Sequence, residues 1–382
     1  DSMFNFNLSV KIYRSIVFVN AMKNWWYLSL FVVLFVSCTV EKKEAFIDKL
    51  MPAPKEAGFM RDGYWIWGSS VIKGEDGKYH MFADMWPQSL EFGNWVTNTE
   101  IAHAVSDTPE GPYVFSDIAI GPRDSTYFDG KCAMNPRVIY YEGKYYLFYV
   151  GTTYDYPRPQ PGSKLVDDWF EKAWVNKRIG VASAKSLYGP WERMDKPVIE
   201  PRPGHWDATI TSNPSPVVNP KTGKIFLMYK SSEKSSEPPL LLGVAEADHP
   251  QGEYHRISEN PIFQFATEKN KESDVEDPFV WWEKDHYELV MKDRFGHICG
   301  EVGGGVHAVS ENGIDWTLSS PVKAYSRTIR WNDNTVSTPV NFERPFILFE
   351  DGKPAYLFAA VGVGRAQWDF EKTWNMVIPL KK

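Results

Sequence analysis

A polar turn followed by a run of aromatic and aliphatic residues recurs along the chain. It reads DGKYHMFAD from Asp76, EGKYYLFYV from Glu142, TGKIFLMYK from Thr222, KDHYELVMK from Lys284 and DGKPAYLFAA from Asp351. Each run is short, bounded by turn formers and rich in strand-favouring side chains, so each predicts a buried strand. The turns lie roughly 60 to 80 residues apart, a period that suits one propeller blade per repeat with elaborated loops.

A second phrase follows the first. IAHAVSDTPEGPY at Ile101, IGVASAKSLYGPW at Ile179, LGVAEADHPQGEY at Leu242 and VHAVSENGIDW at Val306 share a small-residue strand, a turn and an aromatic. Their Gly-Pro and Asn-Gly steps are turn chemistry. The fifth repeat has no clear version before the chain ends. A third phrase precedes each run: FDGKCAMNPRVIYY, WDATITSNPSPVV, EDPFVWW and ERPFILF. The first two carry Phe128-Asp129 and Trp206-Asp207 ahead of Asn135-Pro136 and Asn213-Pro214. The first repeat offers only YWIWGSSVI, without a carboxylate.

Proline is tolerated at the start of a strand, where its missing N–H breaks no ladder bond. The prolines therefore mark first strands, and in a propeller each blade's first strand lines the central channel. The expected fold is all-β, a five-bladed β-propeller with a central axial pocket; an irregular double-sheet protein is the alternative. The crowded carboxylates of SDVEDPF then become one blade's share of a common polar cavity. In a regular strand Glu276 and Asp277 would face opposite ways, so only one is expected to be central. Residues 155–178, DYPRPQPGSKLVDDWFEKAWVNKR, interrupt the second repeat; the Pro-rich half reads as extended and the second half as a short amphipathic helix. Such an insertion decorates a binding face or makes a packing contact.

Composition narrows the partners. The net charge of −7 argues against nucleic acid, which requires a basic face. The 16 tryptophans serve packing between sheets, stacking on ring ligands, or both. Cys132 and Cys299 are far apart and fit neither a metal spacing nor a required bridge. From Met22 to Cys38 the sequence MKNWWYLSLFVVLFVSC joins a basic Lys23, an apolar core and Ser37 before Cys38. It looks like a bacterial lipoprotein signal cleaved before a lipid-bearing Cys38, with a plain secretory signal or single anchor as the alternative. Phe35 is bulkier than that signal's usual residue. The expected organisation is a signal segment at 1–38 (with 1–21 as upstream extension), a linker and arm at 39–62, and the propeller at 63–382. The chain would then sit in the bacterial cell envelope, periplasmic or surface-exposed and held to the membrane by its lipid.

The repeats with NP, EDP and ERP ahead of the first strands resemble the five-bladed propeller glycosidases, the group that includes glycoside hydrolase families 43, 117, 32 and 68. The resemblance spans about Gly63 to Gly364 and is architectural. It implies hydrolysis by carboxylates around the axial pocket, one protonating the leaving oxygen and another acting opposite as base or nucleophile. Asp277 matches the channel-facing Asp-Pro of those enzymes. Glu343 resembles the Glu of an ERP motif, and Arg344 beside it favours the charged form that suits a base or nucleophile. Asp207 and Asp129 are the repeat-matched further candidates, though aspartates at a repeated offset also cap turns. The family's first-blade Asp is missing; Asp84, at the end of the next strand, would reach the pocket only through a loop.

For substrate binding, Asn135 and Asn213 suit sugar hydroxyls and Trp67 suits a stacking platform. Arg137, Arg344 and Lys292 suit an anionic sugar, since arginine grips carboxylate or sulfate through two bonds. His307 could act as an acid, a ligand or a strand histidine. No cofactor is required by this reading, although clustered carboxylates and histidine would permit a structural Ca²⁺ or other divalent ion in the axial cavity. The leading function is a glycosidase acting on an oligosaccharide from plant or algal polysaccharide. A lyase or dehydratase acting on a uronic acid and a non-catalytic glycan-binding lipoprotein are the alternatives.

Overall fold

In each repeat the second strand is buried on both faces. Met81, Leu147, Leu227, Leu289 and Leu357 occupy one repeat position, Phe82, Phe148, Met228, Val290 and Phe358 the next, and all ten are fully buried. Successive strand residues face opposite ways, so these strands must be covered on both sides by neighbouring sheets. Each such leucine contributes about 2 kcal/mol from burial alone.

The computed structural model describes residues 44–163, 167–270 and 272–381. The signal segment and Cys38 lie outside them. Five antiparallel sheets follow in chain order, each built outward from its first strand. Blade 1 comprises Tyr64–Lys73, Tyr79–Pro87, Glu100–Ser106 and Val114–Ile120. Blade 2 comprises Cys132–Tyr141, Lys144–Thr152, Arg178–Ala184 and Glu192–Arg193. Blade 3 comprises Ser212–Val218, Ile225–Ser231, Leu241–Ala247 and His255–Arg256. Blade 4 comprises Val275–Glu283, His286–Asp293, Gly305–Ser310 and Thr317–Lys323. Blade 5 has three strands, Asn341–Glu350, Lys353–Ala366 and Asp369–Pro379. The expected five-bladed propeller is the fold observed.

Blade 5 departs from the phrase pattern. Its third strand is Asp369–Pro379, and among the described residues no fourth strand pairs beside it. The arm at 45–62 lies along that edge instead. Phe59 and Asn375 exchange backbone hydrogen bonds of 2.9 and 3.0 Å, and Met51 N–H donates to Pro379 at 2.9 Å. An open sheet edge is thereby covered. Within the insertion, Asp167–Val175 forms a helix whose Trp174 is buried, packed in one cluster with Tyr154, Tyr156 and Val96.

Phe59 is 1% exposed. Phe59→Ala should therefore lower the unfolding free energy by about 3–5 kcal/mol, read from chemical denaturation. A loss below about 1 kcal/mol would show that the arm merely rests on the edge.

Candidate active site

The first strands of all five blades carry a bulge at the same place. Pairing with the second strand shifts between Ile66 and Ser69, Met134 and Arg137, Glu276 and Phe279, and Glu343 and Phe346; in blade 3 the shift falls between Met228 and Lys230, opposite Asn213. Four bulge residues adopt a left-handed backbone: Asn135 at φ 59°, Asn213 at 50°, Asp277 at 57° and Arg344 at 58°. In blade 1 the shift spans Trp67 and Gly68, and neither has a left-handed backbone. A bulge breaks strict alternation, so two successive side chains turn toward the axis side.

The bulge residues form a hydrogen-bonded chain. Asn135 Nδ2 donates to Asn213 Oδ1 at 3.1 Å, and Asn213 Nδ2 donates to Asp277 Oδ1 at 2.5 Å. Arg344 Nη1 donates to the same oxygen at 2.8 Å. Asp84 Oδ1 accepts from the Asn135 backbone N–H at 2.6 Å. Asp277 is thus buried in this chain and does not line the cavity, which differs from its expected channel-facing place.

Above this chain lies a cavity of about 560 Å³ lined by residues from every blade. Six of the expected residues line it: Trp67, Asn135, Asn213, Lys292, Glu343 and Arg344. Glu276, Asp84, Lys230 and Lys177 line it too. The bulge reverses the alternation expected for Glu276 and Asp277. Asp84 needs no loop, since the end of its own strand lies opposite the blade 1 bulge.

The remaining candidates sit elsewhere. Asp129 accepts from Arg123 Nε at 2.6 Å, Arg193 Nη1 at 3.3 Å and the Tyr149 hydroxyl at 2.7 Å. Asp207 repeats the device with Arg202 Nε at 2.9 Å, Arg256 Nε at 2.6 Å and the Tyr229 hydroxyl at 2.9 Å. Both aspartates are wholly buried and tie the outer strands to the second strands. Arg137 donates to the carbonyls of Ser69 and Pro345, bridging blades 1 and 5 below the cavity. His307 bonds Glu288 at 2.5 Å and packs against Trp281 and Phe46. None of the four lines the cavity, so the structure does not bring them together with the other expected site residues.

The electrostatics separate the cavity carboxylates. Burial pushes the Asp84 carboxyl up to about 7, against the pull of Arg344, the Asn135 amide and Arg137. For Glu276 burial also acts upward, but Lys230, Lys292 and Arg294 outweigh it and hold the group well below the ordinary range. Lys230 Nζ lies 2.9 Å from one Glu276 oxygen and Lys292 Nζ 3.1 Å from the other. Glu343 uses one oxygen, Oε1, to accept from Lys292 Nζ at 2.5 Å and from Asn341 Nδ2. Burial opposes the Lys292 charge, yet Glu343, Glu276 and Asp277 hold its ammonium above the ordinary value. Among the described residues no three His, Cys, Asp or Glu side chains form a group suited to a metal ion. The lysines that pair Glu276 and Glu343 disfavour a divalent cation at those carboxylates.

With this geometry in place, the similarities to solved structures acquire meaning. A family 117 glycoside hydrolase from the marine bacterium Zobellia galactanivorans superposes with a TM-score of 0.60 at 17% identity, over 87% of this chain and 90% of its own. The chain shares the five-bladed propeller fold. An alpha-L-arabinofuranosidase from Lactobacillus brevis gives 0.55 at 13% identity, over 87% and 93%. An endo-arabinase from Bacteroides thetaiotaomicron gives 0.52 at 13%, over 83% and 95%. No protein-family model and no curated protein matches the sequence.

Repeat matching alone could have found Glu276, because it stands two residues before Pro278 as Glu343 stands two before Pro345. Lys177 carried no such signal. If Asp277 is the buried counter-charge of Arg344, Asp277→Asn should cost about 3 kcal/mol in chemical denaturation, because it leaves the guanidinium buried without its charge partner. Unchanged stability with lost turnover would return Asp277 to a catalytic role.

Proposed function

We propose that the protein is a glycoside hydrolase acting on an oligosaccharide derived from plant or algal polysaccharide. Asp84 protonates the leaving oxygen and Glu343 acts as the base or nucleophile. The observation that carries this reading is the contrast between two carboxyl groups on one cavity. Asp84 is buried and held near neutrality at ordinary pH, whereas Glu343 is ion-paired with Lys292. Environments that differ in this way assign acid and base. The Oε2 oxygen of Glu343 has no hydrogen-bond partner among the described residues, which leaves it open to a sugar carbon or water.

Glu276 suits a different task. Both its oxygens are held by lysines, so it positions Lys230 and Lys292 rather than attacking. Trp67, Trp86 and Trp95 line the same cavity; Trp86 is 1% exposed, so Trp95, which is only partly buried, is the ring best placed to stack on a sugar. The likeness to solved glycoside hydrolases supports this assignment through the fold. The Met22–Cys38 segment supports an envelope location with Cys38 lipidated. Fatty-acid labelling of the expressed chain should then be lost in Cys38→Ser, and labelling that persists would remove the anchor from this reading.

Turnover of oligosaccharides supplies the main test. Glu343→Gln and Asp84→Asn should each lower kcat on the order of 10²- to 10⁴-fold. A proton donor works only while protonated, so the wild-type rate should fall as pH rises above about 7, where Asp84 ionises. Asp84→Asn should lose that alkaline limb and keep activity toward aryl glycosides, whose leaving groups need little protonation. Near-normal rates in both variants, or an unsaturated product detected by ultraviolet absorbance, would refute this assignment.

A further inference from the structure

One side chain in the cavity has no role in the chemistry above. Lys177 follows the helix Asp167–Val175 and precedes the third strand of blade 2. It is 1% exposed and lines the cavity. Its Nζ lies 4.0 Å from the Trp174 ring centre and 5.3 Å from that of Trp95. That Nζ makes no hydrogen bond or ion pair with any described residue.

The other cavity cations have carboxylates. Lys230 pairs with Glu276, Lys292 with Glu343 and Glu276, Arg344 with Asp277, and Arg294 with Asp274. After these are matched, two cationic side chains on the cavity wall remain without a carboxylate among the described residues, Lys177 and Arg327. Arg327 Nη1 donates to the Val340 carbonyl at 2.7 Å, but its buried Nε has no partner. Lys177 is the buried one of the two, and a buried lysine without counter-charge is costly.

We propose that Lys177 recognises an acidic sugar residue, its ammonium pairing with a carboxylate or sulfate ester carried by the substrate ring. This deepens the glycosidase reading and rests on the cavity taking a sugar. The Trp174 and Trp95 rings flank the ammonium itself, which they position on the cavity wall. Burial and the charges of Lys230 and Arg344 hold the empty-site amine well below its ordinary value, with Glu276 and Glu171 opposing. An arriving anion reverses this balance. The amine then takes one proton from solvent and the ion pair forms, with no other bond made or broken. Binding is therefore coupled to proton uptake, and affinity falls as pH rises.

Calorimetric titration of the full chain tests this with matched sugars that differ at one position. The series are galactose, galacturonate and galactose 6-sulfate, with glucose, glucuronate and glucose 6-sulfate beside them. An acidic member should bind at least about tenfold more tightly than its neutral parent. Titrations in buffers of different ionisation enthalpy should show proton uptake. Lys177→Met should abolish both the preference and the uptake, with Lys177→Gln as the second variant if the first does not fold. Tighter binding of the carboxylate assigns a uronate, and tighter binding of the sulfate ester assigns a sulfated sugar. Equal affinity for neutral and acidic members, no binding by any acidic sugar, or a preference that survives in a folded variant overturns the proposal. Hydrolysis of neutral glycosides without acid preference removes only the role of Lys177. Acid-sugar binding without hydrolysis removes only the glycosidase reading.

Discussion

The structure depends on a hydrogen-bonded chain of bulge residues near the propeller axis. Asn135, Asn213, Asp277 and Arg344 each hold a left-handed backbone, which costs on the order of 1 kcal/mol for a non-glycine residue. Asparagine and aspartate tolerate that region better than arginine does. The costs are offset because the same geometry lets the side chains meet. Hydrogen bonds to charged groups contribute about 1.5–3 kcal/mol each. The chain links blades 2, 3, 4 and 5, and Asp84 joins blade 1 to it. Because the bulge turns two successive residues inward, it also lifts Glu276 and Glu343 into the cavity. Anchor residues and cavity-lining carboxylates thus come from one backbone distortion.

That distortion explains what the sequence did and did not disclose. Turn phrases revealed the second strands, and the prolines revealed the first strands, because both are local rules. Alternation was the rule that failed. The Asp-Pro resemblance put Asp277 at the centre and alternation then put Glu276 outside, whereas the bulge buries the first beneath the cavity and places the second on its wall. A subtler signal lay in the last letter of the repeated phrase. Asp84, Val150, Lys230 and Lys292 hold the same position, and the three polar ones all line the cavity. Repetition also misled. Asp129 and Asp207 recur because each fastens an outer strand through arginine and tyrosine, a structural need that repeats with the blade.

Other parts of the site were not legible because they depend on segments far apart in the chain. The helix of the blade 2 insertion carries Phe170, and the last hairpin of blade 5 carries Trp368 at φ 72°. Their rings meet at 5.3 Å, and both line the cavity. Neither segment has a partner within its own blade that would predict this meeting. Cations and carboxylates come mainly from blades 3, 4 and 5, while most of the aromatics come from blade 1 and the insertion. A sugar entering between them would meet flat apolar faces on one side and charges on the other, a division suited to an amphipathic ring.

The missing first-blade carboxylate follows from the same packing. A Cβ at Gly68 would stand 2.9 Å from Arg344 Nε and 3.3 Å from its Cγ, so the arginine fills the space that a side chain there would need. Arg344 in turn is the counter-charge of Asp277 and a partner to the cavity. Placing aspartate at position 68 would displace the guanidinium and leave Asp277 buried with a lost cation. Asp84 solves this by reaching the cavity from the neighbouring strand, opposite the bulge. Its burial there raises its carboxyl to about 7, the range that the proposed role of proton donor requires. Glycine at 68, arginine at 344 and a raised Asp84 carboxyl are therefore one physical arrangement, in which the strand that carries the carboxylate also sets its proton affinity.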